Sequence, residues 1–159
     1  MVATPIYSRK SAGLSLIELM VTIVISSIIA MYGSSLTINW LAKQKIKDAE
    51  ENLAQGYASA RALALRTGTN STNPSAYLLL IDNTLCVQKG SNSNLNCNAP
   101  EWIASLPVTS SSITDKTSAC IAFNSAGLPK TATLDSISCS VATSYNVALW
   151  SNTANGYLE

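Results

Sequence analysis

The sequence predicts an α+β protein in which one long N-terminal helix packs on antiparallel β-sheets. An apolar run of helical length occupies residues 14–40, and a narrow apolar stripe continues the helix through residues 41–67. Short β-like segments separated by turns fill residues 68–159. An apolar stripe on a helix requires burial against another element, and such strands and turns are typical of antiparallel sheets.

The apolar run follows a polar leader, residues 1–13, which contains the basic pair Arg9 and Lys10. No Lys or Arg occurs within residues 14–40, and Glu18 is the only acid there. The run is longer than the roughly 20 residues that a helix needs to cross the hydrocarbon of a bilayer. Basic residues before such a run favour a cytoplasmic N-terminus. We therefore expect a single-pass membrane helix with the rest of the chain outside the cytoplasm.

Two ordinary explanations for this segment are a secretory signal peptide and a signal anchor. A signal peptide carries its apolar core before the cleavage site, so cleavage removes that core. Here the leader ends at Gly13 and the apolar run follows it, so a cut at that point would retain the helix. A signal anchor does not explain Glu18, because placing a carboxylate in a membrane helix costs free energy, and such a residue indicates a functional site.

Residues 13–19, GLSLIEL, resemble the type IV prepilin cleavage motif, usually written Gly-Phe-Thr-Leu-Ile-Glu-Leu. In that family a membrane-embedded prepilin peptidase cuts after the glycine and methylates the new amine. A glutamate at the fifth position of the mature chain then serves assembly. The resemblance implies cleavage between Gly13 and Leu14, N-methylation of Leu14, and an assembly ion pair made by Glu18. Leu14 and Ser15 replace the usual Phe and Thr, which are mild departures. It also implies a pilin fold.

The charged residues give little support to an enzyme or a metal protein. The chain has no histidine, which removes the usual general base and the commonest metal ligand. Serine side chains therefore have no imidazole to activate them. A calcium site would need several clustered oxygen ligands, and scattered acids such as Asp115 and Asp135 do not provide them. We expect no catalytic residue, no cofactor and no metal.

The four cysteines indicate two disulfides. They lie on the inferred outer side of the membrane, where disulfides persist. No pair has the Cys-x-x-Cys spacing of a zinc knuckle or a redox motif, and four cysteines allow three pairings. We favour Cys86–Cys97 and Cys120–Cys139, because each pair closes a local loop between neighbouring strands or their flanks.

The soluble part begins with the amphipathic half of the helix. Its apolar residues recur at spacings of three and four; they are Ile46, Ala49, Leu53, Gly56, Ala60 and Leu63. Arg66 and Gly68 are signals for the end of a helix. Strands are then expected at residues 77–81, 84–88, 119–124, 131–134, 137–141 and 145–150. Asp82-Asn83 should turn the first of these into the second, and 131–134 should pair with 119–124. A Ser/Thr-rich stretch runs through Thr114, and no strand is assigned to it.

Two further segments resemble the GspH/FimT/FimU group of minor pilins and pseudopilins, and most of all FimU. They are the Ala/Arg-rich helix end at residues 58–66 and the strand-and-turn segment at residues 121–129. This resemblance implies a minor type IV pilin that helps prime pilus assembly, lies near the pilus tip, and supports pilus-dependent motility, adhesion or DNA uptake. The alternatives are a GspH-like minor pseudopilin of a type II secretion system and a FimT-like pilin that binds DNA during uptake.

Charge disfavours the DNA-binding alternative. Beyond Arg66 the chain has three basic against five acidic residues, a net charge of −2, and residues 131–159 contain no Lys or Arg. Non-specific DNA affinity comes largely from neutralised phosphates. The partners implied by the resemblance are prepilin peptidase, other minor pilins and the major pilin. The implied location is the inner membrane, with a periplasmic C-terminal domain, and later the pilus at the cell surface.

Overall fold

The computed structural model describes residues 15–68, 73–90, 97, 99–134 and 137–159, without the side chains of residues 33–36. The chain divides between Asn39 and Trp40 into two compact units. One α-helix, α1 (Leu16–Thr67), runs from the first unit into the second. At its end, the Thr67 hydroxyl donates a hydrogen bond to the Leu63 carbonyl at 2.8 Å. This interaction satisfies one of the last helical carbonyls, which have no partner within the helix.

Ten β-strands lie in the described part of the second unit, and their paired neighbours are all antiparallel. The strands are β1 (Ala76–Ile81), β2 (Thr84–Lys89), β3 (Trp102–Ser105), β4 (Ser110–Ile113), β5 (Ala119–Phe123), β6 (Pro129–Lys130), β7 (Ala132–Leu134), β8 (Ile137–Cys139), β9 (Ser144–Leu149) and β10 (Asn152–Tyr157). They form a five-stranded sheet in the order β3-β2-β1-β5-β6, a three-stranded sheet in the order β10-β9-β4, and the pair β7-β8. The predicted α+β class, a long helix packed on antiparallel sheets, is confirmed.

The hairpin between β1 and β2 has the turn that the sequence predicts. Ile81 pairs with Thr84, which leaves Asp82 and Asn83 as a two-residue loop. Both loop residues have positive φ, 47° and 63°, as a type I′ turn requires. Asn83 also connects this hairpin to β4, because the Ser111 hydroxyl donates to its Oδ1 at 2.6 Å.

The core lies between the soluble half of α1, meaning the part of the helix in the second unit (residues 40–67), and one face of the five-stranded sheet. The helix contributes the buried side chains of Ala42, Ile46, Ala49, Leu53, Tyr57, Ala60 and Ala64. The sheet contributes Leu78, Leu80, Leu85, Val87, Ile121 and Phe123. Helix and sheet approach closely at Gly56, where an added Cβ would lie 2.6 Å from a methyl carbon of Leu85. A larger residue there would have to displace the side chains of Leu85 and Trp102.

The opposite face of the same sheet is also buried, beneath the β7–β8 hairpin. Leu79, Cys86 and Cys120 pack there with Leu134 and Cys139. Burial on both faces explains why β1 reads as a continuous apolar run and not as an alternation.

Two disulfides border this second cluster. Cys86 bonds to Cys97 and Cys120 bonds to Cys139, with Cα–Cα distances of 6.0 and 4.6 Å. These are the pairs that the sequence analysis favours. The second bond ties β8 to the underlying strand β5, and the Ser140 amide adds a hydrogen bond to the Cys120 carbonyl.

The three-stranded sheet packs on α1 through its inward-facing side chains. Val147 is fully buried, and the Tyr145 hydroxyl donates to Glu50 Oε1 on the helix at 2.9 Å. Burial raises the pKa of Tyr145, and the hydrogen bond to Glu50 adds to the shift. Gly156, opposite Tyr145 on β10, leaves room for the tyrosine, because a Cβ there would lie 2.7 Å from the hydroxyl oxygen.

The strands differ from the sequence analysis in three places. β4 lies within the Ser/Thr-rich stretch, to which no strand was assigned, because Ser111 and Ile113 alternate into the core. β10 arises where no strand was expected, through a two-residue hairpin with β9. Residues 131–134 do not pair with β5: the short strand β6 takes that position, with Pro129 opposite Phe123, and β7 pairs instead with β8.

Candidate functional site

The candidate site is the start of α1, where Ser15 and Glu18 lie three residues apart. The Ser15 carbonyl accepts hydrogen bonds from the amides of Glu18 and Leu19, at 3.0 and 3.1 Å. Ser15 therefore stands at the N-cap position and Glu18 at the third helical position, the spacing of a capping box. The sequence analysis missed this role, although the Ser-x-x-Glu pattern was visible. Glu18 also complements the positive end of the helix dipole.

The helix that follows Glu18 presents apolar side chains on every side. Its large apolar residues are 49–80 % exposed from Leu16 to Tyr32. One continuous face, at helical spacing, is formed by Ile17, Met20, Val21, Val24 and Ile25. A helix that is apolar all round is stable where lipid or other helices surround it.

Two hydroxyl side chains of this segment bond to the helix backbone. The Thr22 hydroxyl donates to the Leu19 carbonyl at 2.9 Å, and the Ser27 hydroxyl donates to the Ile23 carbonyl at 2.8 Å. Both hydroxyls are thus satisfied within the helix, as a surrounding without water requires. Glu18 remains the only charged residue between Ser15 and Asn39.

A family profile described as the prokaryotic N-terminal methylation motif matches residues 8–32. The chain carries a type IV pilin-like prepilin motif. The matched segment includes Gly13, Leu14 and Glu18, and the motif implies processing by prepilin peptidase and assembly with pilin-like subunits. Comparisons with curated proteins and with solved structures gave no significant match.

The prepilin motif indicates that the N-terminal segment is a membrane anchor. Among the described residues, no single uninterrupted stretch of helix meets the length and hydropathy expected of a membrane span. The two parts of α1 before and after residues 33–36, Leu16–Tyr32 and Thr37–Thr67, meet that test only when they are taken together.

The other sequence-predicted site residues are the cleavage-site residues and the four cysteines. Gly13 and Leu14 lie outside the described residues. The four cysteines belong to the second unit, where all of them are in disulfides. In the described ranges no three His, Cys, Asp or Glu residues come together in a way that could hold a metal ion.

Proposed function

We propose that this protein is a minor type IV pilin that helps to prime pilus assembly and lies near the pilus tip. Prepilin peptidase would cut between Gly13 and Leu14, methylate the Leu14 amine, and leave the subunit in the inner membrane with its β-rich domain in the periplasm. The observation that carries the proposal is a single carboxylate, Glu18, at the start of an exposed and otherwise apolar helix within a methylation motif.

Assembly gives this carboxylate a physical role. When α1 packs among the helices of neighbouring subunits, Glu18 loses water, and an unpaired buried charge costs several kcal/mol. The methylated amine on Leu14 of an adjacent subunit is still a cation, because methylation of an amine does not remove its charge. An ion pair between the two groups stabilises only the register that brings them together, so it selects correctly docked subunits.

The structure suggests a sharper test than alanine alone, because Glu18 also occupies a helix-capping position. Glutamine can take the place of glutamate in a capping box, but its side chain carries no charge. We predict that Glu18→Gln and Glu18→Ala both reduce incorporation of the subunit into surface pili, measured by immunoblotting of sheared filaments. Glu51→Gln, at an exposed position further along α1, is the matched control and should incorporate normally.

Two measurements make the result interpretable. Mass spectrometry of the N-terminal peptide should find methylated Leu14 in wild type and in both Glu18 variants, which shows that processing is intact. If processed Glu18→Gln enters pili at the wild-type level, the ion-pair role is wrong and capping explains the residue. If deletion of the gene abolishes protein secretion while surface pili persist, the subunit belongs to a type II secretion pseudopilus.

A further inference from the structure

Strand β10 forms an open edge of the three-stranded sheet. In the order β10-β9-β4, only β9 pairs with it among the described strands. β10 has six residues, and the side chains of Thr153, Asn155 and Tyr157 are exposed. An edge of this kind presents unpaired backbone N–H and C=O groups to any strand that approaches it.

The hydrogen-bond pattern shows which residues face that edge. Thr153, Asn155 and Tyr157 pair with Ala148, Asn146 and Ser144 of β9. The Ala148 and Ser144 carbonyls accept hydrogen bonds from the amides of Thr109 and Thr114, on the β4 side of the sheet. Residues on β9 that bond towards β4 are in non-hydrogen-bonded pairs with β10. The backbone groups of Thr153, Asn155 and Tyr157 are therefore directed away from β9, to the open edge.

Protection by charge, proline or a bulge is missing from this edge strand. Natural sheets block their edges with charged residues, especially lysine, with proline, with bulges or with very short strands. Residues 136–158 contain neither a charged residue nor a proline, and the register of β10 on β9 is continuous over all six residues. No charge, proline or bulge on β10 therefore opposes pairing along its length.

We propose that β10 binds β10 of a second copy of this chain, antiparallel and with Asn155 opposite Asn155. In this two-fold register Thr153 of each copy faces Tyr157 of the other. The three outward-facing residues of each strand then form three facing pairs. Each hydrogen-bonded pair makes two backbone hydrogen bonds, so the interface has about six. No like charges oppose each other, and the amide and hydroxyl side chains meet across the pair. The strand is complementary to itself, which is what an isologous interface requires.

Cysteine cross-linking of the full-length protein in its native membranes tests the register. In a hydrogen-bonded antiparallel pair the facing Cα atoms are about 5.5 Å apart, which is within disulfide reach. Asn155→Cys should therefore give a covalent homodimer after mild oxidation, seen on a non-reducing gel and identified by mass spectrometry. Thr153→Cys is the matched control, because two such cysteines would be offset by four residues, about 13 Å along the strand.

We expect about tenfold more dimer from Asn155→Cys than from Thr153→Cys, because only the first pair lies within disulfide reach. The double variant Thr153→Cys/Tyr157→Cys should also form dimer, because the cysteine at position 153 of one copy then faces the cysteine at position 157 of the other. Adding Asn155→Pro to that double variant should abolish its cross-link, since proline removes an outward N–H but no bond to β9.

Equal yields from Asn155→Cys and Thr153→Cys would overturn the proposal. An adduct of Asn155→Cys with a different protein would also overturn it, in favour of strand addition by that protein. Neither readout depends on pilus formation, so the self-pairing of β10 and the proposed minor-pilin role succeed or fail separately.

Discussion

At the scale of single residues, the two-residue turns at 82–83, 114–115 and 150–151 use left-handed backbone conformations without glycine. Asp82 and Asn83 tolerate positive φ, because their short polar side chains bond locally. That turn could be predicted from its Asp-Asn dipeptide. Thr114 and Trp150 also have positive φ, 54° and 55°, although β-branched and bulky residues rarely adopt it. Nothing in the local sequence predicts these two turns, because the strand register around them imposes the conformation.

Replacing Trp150 by glycine should stabilise the protein. Trp150 and Ser151 form the two-residue loop between Leu149 and Asn152, and the first position of such a loop favours glycine when only that position has positive φ. The side chain of Trp150 is 63 % exposed, so its removal gives up little burial. We expect the free energy of unfolding to rise by about 0.5–1 kcal/mol, after the added entropy of glycine in the unfolded chain is subtracted.

Urea denaturation of the wild type, Trp150→Gly and Ser151→Gly measures this effect. Ser151 does not have positive φ, so Ser151→Gly should gain nothing and should lose a few tenths of a kcal/mol. A lower stability for Trp150→Gly than for Ser151→Gly would mean that the tryptophan ring itself holds the hairpin.

At the scale of elements, the strands that could be predicted are those with apolar composition. β1, β2 and β5 bury both faces, so their apolar runs are visible in the sequence. β4 and β10 consist largely of Ser, Thr, Asn and Gly, residues that are typical of turns. They are strands because β4 and β10 pair with the two sides of β9. Such pairing between residues distant in sequence cannot be predicted from a local sequence pattern. The same limit applies to β6, whose two residues pair with β5 before the chain continues to β7.

Each disulfide should stabilise the folded state by about 3 kcal/mol in the chain-entropy model, but they should act on different elements. Cys120–Cys139 holds the β7–β8 hairpin on the five-stranded sheet, and a two-stranded hairpin alone is marginally stable. We predict that Cys120→Ala/Cys139→Ala speeds hydrogen exchange in β7 and β8 more than in β1. Cys86→Ala/Cys97→Ala is the control, because it leaves the bond between β5 and β8 intact.

Peptide mapping without reduction checks the pairing on which this prediction depends. Free thiols, or a peptide in which Cys86 is bonded to Cys120, would contradict it. Unchanged exchange in β7 and β8 after loss of Cys120–Cys139 would show that burial of Leu134 is enough to hold the hairpin in place.

At the scale of the whole molecule, charge is concentrated in one region of the chain. The soluble half of α1 contains eight charged residues, Lys43, Lys45, Lys47, Asp48, Glu50, Glu51, Arg61 and Arg66. The β-rich part contains three cations, and one of them, Lys89, forms an ion pair with Glu101 at 2.7 Å. The hydrogen bond from Lys89 lowers the pKa of Glu101. The β-rich part therefore has no excess of positive charge.

This distribution favours the proposed assembly role over DNA binding. Even if Lys89, Lys116 and Lys130 each neutralised one phosphate, log affinity would fall with log salt with a slope of only about −3, which indicates weak binding. We predict that the full-length protein in detergent gives no DNA gel shift at physiological salt, while it binds the periplasmic domain of at least one minor pilin in a pull-down. Lys116→Ala/Lys130→Ala should leave that protein contact unchanged. Micromolar, salt-sensitive DNA binding that disappears in this double variant would reverse the conclusion, because affinity from so few cations would require them to converge on one surface.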